Sequence, residues 1–322
     1  MGAFMKQLQN NILYDADVKT MKQSEYCTVY EMKNNEGAGV ITSYQVFPGI
    51  QLAYNDFHMG KCPHHTPSNK DILEINHCRE GRFECQFING MYTYLSEGDL
   101  AVNTMVNNQV IDANFPLEHY HGVSIIIDLE AAAKMISTIL KDISIDLYAL
   151  RDKLCVGDRC FIIRAKDSIQ HIFSELYTIP DEVKYGYFKL KILELLLFLS
   201  ILDPFEQFEN RPYFQKKQVN KIKKIKQFIT KHMEHHFTLE ELSKRFAISL
   251  TAMNSCFKEV YGMPMYAYIR TYRMQAAASM LLNRQDSITV IAGNVGYENS
   301  SKFASAFKAV MHISPSAYRK SH

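Results

Sequence analysis

With 322 residues, 47% of them hydrophobic and 22% charged, the chain has the apolar content for a large core, which excludes disordered, collagen-like and low-complexity classes. The length suggests about two domains. The formal net charge of +2 conceals a division: residues 1–217 carry 21 basic and 28 acidic side chains, a balance of −7, whereas 218–322 carry 15 and 6, a balance of +9. A basic segment joined to an acidic one points to a polyanionic partner for the former, most often nucleic acid.

Residues 1–10 contain no apolar run of the kind a signal peptide needs. The greasiest stretch, 190–202, includes Lys191 and Glu194 and is shorter than the roughly 20 apolar residues of a membrane span. A cytoplasmic protein without membrane attachment is therefore expected. Its seven cysteines (Cys27, Cys62, Cys78, Cys85, Cys155, Cys160 and Cys256) are odd in number and form no C-x-x-C pair, consistent with free, packed thiols in a reducing compartment.

From residue 25 to 128 the sequence runs in short β-rich segments, at 26–32, 39–47, 50–59, 72–78, 83–88, 92–95, 100–102 and 123–127, punctuated by Gly, Asn and Pro. That rhythm predicts a small barrel or sandwich. Asn89-Gly90 is the sharpest hairpin signal, because both residues tolerate the positive φ of a type I′ turn. The aromatic side chains Tyr44, Tyr54, Phe83 and Tyr92 are candidates to line a pocket, although core filling explains such residues equally well.

Histidines and cysteines crowd the same region: His58, Cys62, His64, His65, His77 and Cys78, with His119 and His121 on one face of a strand. His119 and His121 are further ligand-binding candidates. The set lacks an H-x-H with a Glu and a later His at the spacing of a cupin metal site, so no metal and no cofactor are assigned.

Beyond residue 128 the periodicity becomes helical, over 129–141, 165–177 and 181–202. The last is apolar on more than one side, with Ile192, Leu193, Leu195, Leu196, Leu197 and Leu199. Burial within the subunit and pairing with a second subunit both satisfy that pattern. Residues 204–217, with Pro204, Pro212, Lys216 and Lys217, read as a linker.

The basic segment contains an internal repeat. Phe257-Lys258-x-Val260 recurs as Phe307-Lys308-x-Val310, offset by 50 residues. Thr238-Leu239-Glu240-Glu241 has a capping-box pattern that opens a short helix with Leu239, Leu242 and Phe246 inward, and Ser287 likewise precedes Ile288, Ile291 and Val295. Each short helix leads through a turn into a second one, 250–261 and 300–310, which makes two helix-turn-helix units. Residues 264–283 between them can form one helix, with Gly262 as the left-handed stop before it. Twenty residues at about 1.5 Å give roughly 30 Å, close to the ~34 Å turn of B-DNA, so the two second helices can reach successive major grooves. Their exposed faces carry Thr251, Asn254, Ser255 and Lys258 on the first, and Ser300, Ser301, Lys302 and Ser305 on the second. Met253, Cys256 and Phe257 face inward.

Residues 225–319 resemble the AraC/XylS DNA-binding domain, through Thr238-Leu-Glu-Glu-Leu-Ser, Phe257-Lys-x-x-x-Gly262, Tyr268-Ile269-x-x-x-Arg273, 276–282, Gly296-Tyr297, Ser301-x-Phe303-x-x-x-Phe307-Lys308 and Ser314-Pro315-Ser316-x-Tyr318-Arg319. His312 departs from the pattern by standing where the family commonly has Gly. The resemblance places Thr251, Asn254 and Ser255 at positions that approach base edges, where Asn can pair bidentately with adenine. The second reading helix has no Arg for guanine and is assigned to phosphate anchoring and shape readout. Lys258, Arg270, Arg273, Lys302, Lys308 and Arg319 are candidates for phosphate contact, with an internal ion pair the competing role for Arg273.

In the N-terminal part, Leu95-Ser-Glu-Gly-Asp-Leu100 resembles the turn and strand of a cupin-like barrel. The segments 72–77, 81–84 and 119–124 are similar to the siderophore-responsive, pyochelin-type branch of the family. Together these give an α+β chain: a cupin-like, effector-sensing β-barrel (1–128), a helical dimerisation region (129–203), a linker (204–217) and an all-α domain with two helix-turn-helix units (218–322). The resemblance implies a homodimeric transcription regulator, an activator by preference, with double-stranded DNA, a small-molecule effector and RNA polymerase as partners. The alternatives are a metal-dependent cupin enzyme with a DNA-binding appendage and a DNA-organising protein without an effector. The chain has no G-x-S-x-G, P-loop or G-x-G-x-x-G, so no enzyme activity is expected.

Overall fold

The computed structural model describes residues 18–62, 70–104, 110–139, 145–155, 161–164, 167–203 and 213–321. The chain divides into two compact units, one ending at Tyr213 and one beginning at Phe214.

The first unit is built on β1 (Val18–Gln23), β2 (Cys27–Asn34), β3 (Gly37–Phe47), β4 (Ile50–His58), β5 (Ile72–Phe87), β6 (Met91–Ser96), β7 (Asp99–Thr104), β8 (Val110–Asn114), β9 (Tyr120–Asp128) and β10 (Phe161–Arg164). They pair in the order β1-β2-β3-β4-β9-β5-β6, with β7 and β8 also on β5 and β10 on β7. Every pairing described is antiparallel.

The organising strand is β5. Sequence reading splits it into two segments, yet it runs unbroken for 16 residues. Its first half pairs with β9 and β7 and its second with β6 and β8. The change comes at a register shift between Cys78 and Glu80, beside Gly81, whose φ is 87°. A Cβ at Gly81 would lie 2.3 Å from the carbonyl oxygen of His119, so only glycine lets β9 approach. The pairing runs open from β1 to β6, and no described strand returns to β1. The hydrogen bonds therefore define an antiparallel sheet bent at β5, without the closure the expected barrel requires.

Alternation along the strands separates two apolar clusters. Leu52, Ile75, Val123, Ile125 and Ile127 face one side and pack with the helices α1 (Leu129–Ile139), α2 (Leu147–Leu154), α3 (Asp167–Leu176) and α4 (Lys184–Ile201). Ile41, Ala53, Phe57, Cys78, Leu95, Phe115 and Tyr120 form the other. The Asn89-Gly90 hairpin differs from expectation. Only Gly90 has positive φ, at 77°, and its N–H donates to the Phe87 carbonyl at 2.9 Å while Asn89 Oδ1 accepts from Met91 N. A three-residue loop with a left-handed glycine replaces the two-residue type I′ turn.

Helix α4 buries Phe188, Ile192, Leu195, Leu196 and Leu199 against the helical side of the sheet. Leu190 and Ile201 stay 63% and 77% exposed. Lys191 is buried in this helix and tolerated because its ammonium bonds Glu175 (2.5 Å) and Glu194 (2.8 Å). Burial opposes its charge, but those two carboxylates raise its pKa to about 12.

The second unit is all helical: α5 (Lys216–Lys231), α6 (Leu239–Phe246), α7 (Leu250–Tyr261), α8 (Met265–Asn283), α9 (Ile288–Asn294), α10 (Ser300–Met311) and α11 (Pro315–Ser321). Of the expected linker, 204–212 lie outside the described residues, and Lys216 and Lys217 open α5. The capping box forms as read: Thr238 Oγ1 accepts from Glu241 N at 3.1 Å, and Glu241 Oε2 accepts from Thr238 N at 2.8 Å. Helix α8 contacts α5, α7, α9, α10 and α11, and its Met274, Ala277, Ala278 and Leu281 are buried with Ile291, Phe303 and Phe307.

Two non-glycine residues hold left-handed backbone in this unit, Ala247 (φ 48°) after α6 and His312 (φ 62°) after α10. Their counterparts in the other repeat are Gly296 (φ 79°) and Gly262 (φ 78°). A side chain in this region costs about 1 kcal/mol relative to glycine. Ala247→Gly and His312→Gly are each expected to raise stability by about 0.5–1 kcal/mol in urea titration, and a loss at either position would contradict that reading.

Candidate functional site

The helix that follows each turn in the second unit is capped to begin cleanly at its exposed face. Ser249 Oγ accepts from Ala252 N at 3.3 Å and opens α7. Asn299 Oδ1 accepts from Ser301 N (2.9 Å) and Lys302 N (3.0 Å) and opens α10. On α7, Thr251, Asn254, Ser255 and Lys258 are exposed while Met253, Cys256 and Phe257 are buried. On α10, Ser300, Ser301, Lys302 and Ser305 are exposed while Phe303 and Phe307 are buried. On α7 the four align at spacings of three and four residues, whereas on α10 only Ser301 and Lys302 align with Ser305 in that way and Ser300 lies in the first turn beside them.

The two halves are joined by α8, whose 19 residues make a rod of about 28 Å. The buried side chain of Arg273 fixes it in place. Its Nη2 donates to the His235 carbonyl at 2.7 Å and its Nη1 lies 3.4 Å from His236 Nδ1. His236 Nε2 in turn bonds the Gly296 carbonyl. A Cβ at Gly296 would meet the Met233 carbonyl oxygen at 2.8 Å and the guanidinium at 3.0 Å, which explains the glycine at that turn. Burial lowers the Arg273 pKa from its free value. Of the two roles expected for this residue, the internal one takes a different form: the guanidinium donates to a backbone carbonyl and adjoins His236, with no carboxylate partner among the described residues. Arg319 is also engaged internally, donating to the Asp286 carbonyl at 2.7 Å.

Lys258, Arg270, Lys302 and Lys308 are exposed. Arg270 and Lys302 border a cleft of about 360 Å³, together with Tyr266, Tyr297 and Asn299, beside the start of α10.

In the first unit, the six residues read as ligand candidates are dispersed. Tyr44 and Tyr54 pack edge to face at 6.1 Å, and both sit against Phe188 of α4. Tyr54 Oη donates to the Leu176 carbonyl at 2.5 Å. Phe83 lies in the other cluster, near Phe115 and Tyr120, and Tyr92 Oη donates to Gln86 Oε1 at 2.5 Å. His119 Nδ1 is 3.1 Å from the Leu117 carbonyl, and His121 adjoins Asp56.

None of the six lines a cleft of this unit in which buried polar atoms lack partners. That cleft, of about 640 Å³, opens between β5 and α3 and is lined by His77, Cys78, Arg79, Gln170, Tyr177 and Thr178. Both ring nitrogens of His77, Gln170 Oε1 and Tyr177 Oη are buried without a hydrogen-bond partner among the described residues. His77 stacks on Phe173 at 4.1 Å, and Arg79 lies 4.4 Å over the Tyr177 ring. Burial lowers the His77 pKa to about 4, against a small opposing pull from Gln170, so the imidazole is neutral at pH 7. Unpartnered polar atoms around an aromatic floor suit a small ligand with its own donors and acceptors. Sequence reading named His77 only as one of a crowd. Gln170 and Tyr177 carried no signal, since both sit within a plain amphipathic helical pattern.

Neutral His77 also sets a pH dependence. The unfolded imidazole takes a proton near pH 6.5 and the folded one near 4, so stability present above pH 6.5 is lost as pH falls toward 4. We expect wild type to lose about 3 kcal/mol more over that interval than His77→Phe. Equal losses in urea titrations at pH 7 and pH 4.5 would refute the neutral assignment.

Comparison with known proteins agrees with this anatomy. A family model described as "Helix-turn-helix domain" matches residues 242–321. Among curated relatives, the chain is 30% identical over 178 residues to the uncharacterized HTH-type transcriptional regulator YdiP of Escherichia coli, covering 53% of this chain and 58% of that one. It is 28% identical over 138 residues to the HTH-type transcriptional regulator ExsA of Pseudomonas aeruginosa, covering 41% and 46%. The chain thus spans about half the length of these curated relatives. Among solved structures it is similar to the C-terminal domain of AraT, a response regulator from Geobacillus stearothermophilus, at 30% identity, 32% of this chain, 85% of that chain and a TM-score of 0.31. The C-terminal region of this chain is a helix-turn-helix domain.

Proposed function

We propose that the protein is a sequence-specific, double-stranded-DNA-binding transcription regulator controlled by a small molecule. The observation that carries the DNA reading is the pair of capped helices α7 and α10, each with four exposed polar side chains, on a unit whose formal balance is +9 across 218–322. Helix α7 reads sequence through Thr251, Asn254 and Ser255 with Lys258 on phosphate. Helix α10 anchors through Ser300, Ser301, Lys302 and Ser305, with its N-terminal amides and the Arg270–Lys302 cleft offered to the backbone. The curated relatives are named as transcriptional regulators, which favours regulation over catalysis.

The N-terminal unit, of cupin-like type, serves as the sensor, and its effector enters the cleft at His77, Gln170 and Tyr177. Two copies pair through the face of α4 that carries Leu190 and Ile201, residues exposed despite their apolar character. Effector binding then biases which of two arrangements the DNA-binding units adopt, and activation follows through RNA polymerase from the arrangement that fits promoter DNA. Such a protein works in the cytoplasm. Among the described residues no helix is long and apolar enough to cross a membrane.

Gel-shift titration at several salt concentrations tests the DNA reading, on a site selected from a random-sequence pool. Asn254→Ala is expected to cost about 1–3 kcal/mol on that site and to relax one base position; Lys302→Ala is expected to weaken all sequences alike and reduce the salt slope by about one unit. Equal losses on selected and random DNA for Asn254→Ala would exclude its base contact. Light scattering tests the pairing: Leu190→Glu with Ile201→Glu is expected to give monomers from a wild-type dimer, and a wild-type monomer would remove the α4 interface. Native mass spectrometry of the purified chain tests the cleft, through a co-purified small molecule that Tyr177→Phe loses; retention in that variant would place the ligand elsewhere.

A further inference from the structure

Three side chains outside the cleft converge on one point of the sheet. Asp56 and His58 lie two residues apart on β4 and so share a face, and Asp56 is paired directly with His121 of β9. Their atoms meet. His58 Nε2 is 3.0 Å and His121 Nε2 is 3.2 Å from the same oxygen, Asp56 Oδ1. The two rings are nearly perpendicular, with centroids 5.3 Å apart, and one ligand atom from each residue falls within 4.8 Å of the others. The cluster sits on the face that carries Leu52 and Val123 and is open to solvent, with His58 65%, Asp56 55% and His121 31% exposed.

We propose that Asp56, His58 and His121 form a binding site for a divalent transition-metal ion. At ligand bonds near 2.0–2.1 Å, donor atoms are about 2.9 Å apart on an octahedron edge and about 3.4 Å on a tetrahedron edge. Two of the three donor separations, 3.0 and 3.2 Å, lie in that interval and the third is within 4.8 Å, so rotation of the two imidazoles toward each other brings all three donors around one ion. Two imidazoles and one carboxylate suit Zn²⁺, Co²⁺, Ni²⁺ or Fe²⁺ and do not suit Ca²⁺ or Mg²⁺, which take oxygen donors. Loading requires each imidazole to carry its proton on Nδ1 and present Nε2, and it replaces the present contacts to Asp56 by bonds to the ion. Three protein donors leave positions open, so the ion is exchangeable and can accept a solvent or a small donor as a further ligand.

The sheet supplies the rigidity such a site needs. Register fixes Asp56 opposite His121, and Glu80 of β5 stands opposite His121 on its other side, adding negative charge to the same row. Sequence reading missed the trio because it looked for ligands at close spacing along the chain; Asp56 and His121 are 65 residues apart and meet only through strand pairing. The proposal does not depend on the protein being a regulator.

The test uses the full chain without a polyhistidine tag, stripped with chelator and titrated with ZnCl₂ by calorimetry and with CoCl₂ by visible absorption. One ion per chain at this site is expected, with Co²⁺ ligand-field bands. His58→Ala, His121→Ala and Asp56→Asn should each weaken it by about 100-fold or more, the upper end of what even an outer-shell partner contributes. A His232→Ala/His235→Ala variant serves as control and should leave it unchanged. A second measurement needs no variant: Zn²⁺ should protect His58 and His121 of the wild-type chain from diethyl pyrocarbonate while His232 and His235 still react. Absence of binding, binding that survives the His58→Ala/His121→Ala double substitution, or no protection at these two rings would overturn the proposal.

Discussion

The second unit depends on a buried guanidinium. Arg273 is held by a backbone carbonyl and an imidazole, and its hold on the His235 carbonyl and on His236, which reaches the Gly296 carbonyl, ties the middle of α8 to the segment after α5 and to the turn before α10. A charge taken out of water persists only where its donors find acceptors. Here the acceptors of Nη1 and Nη2 belong to both ends of the domain while Nε is buried without one among the described residues, so the bonds the guanidinium makes also fix how the two halves sit along α8. Glycine at 296 is the other side of the same constraint, because a larger residue would strike the guanidinium and the Met233 carbonyl. The exposed faces of α7 and α10 owe their common frame to this junction.

The first unit is governed by the bend in β5. A single strand that serves four neighbours divides the apolar side chains into one cluster under the helices and another on the opposite face. Where helix α3 crosses the first half of β5, His77, Gln170 and Tyr177 bring buried polar atoms together. At the paired ends of β4 and β9, Asp56, His58 and His121 are exposed to solvent. Polar groups at these two places thus have different physics: the first group is buried at the wall of a cleft, and the second is accessible and mutually bonded.

Much of the second unit was legible in the sequence, because its signals are local. Capping at Thr238, the left-handed stop at Gly262 and the 3.6-residue spacing around Met253 and Phe257 each involve residues within a few positions of one another. Exposure of all eight reading-helix residues follows from the same periodicity. The role of Arg273 was not legible, since its acceptors are 37 and 38 residues away. In the first unit most strands could be read, yet the continuity of β5 was hidden by Arg79, Glu80 and Gly81, which look like a turn and are a bend. Strands β1, β8 and β10 are short or polar and gave too little alternation. The cleft and the histidine pair with Asp56 arise from cross-strand and helix-on-sheet contacts, which no window of sequence contains. The aromatic residues chosen for a pocket were chosen by type, and type alone does not distinguish Tyr54, tied to the Leu176 carbonyl, from a ligand contact.

The central claim is that α8 holds α7 and α10 at a spacing that lets both enter one face of a duplex. Hydroxyl-radical footprinting on a selected site measures that spacing directly. Two protected segments centred about 10–10.5 base pairs apart for each bound DNA-binding unit are expected, since that is one helical turn. A single protected segment that is unchanged when Ser300, Ser301, Lys302 and Ser305 are all replaced by alanine would contradict it.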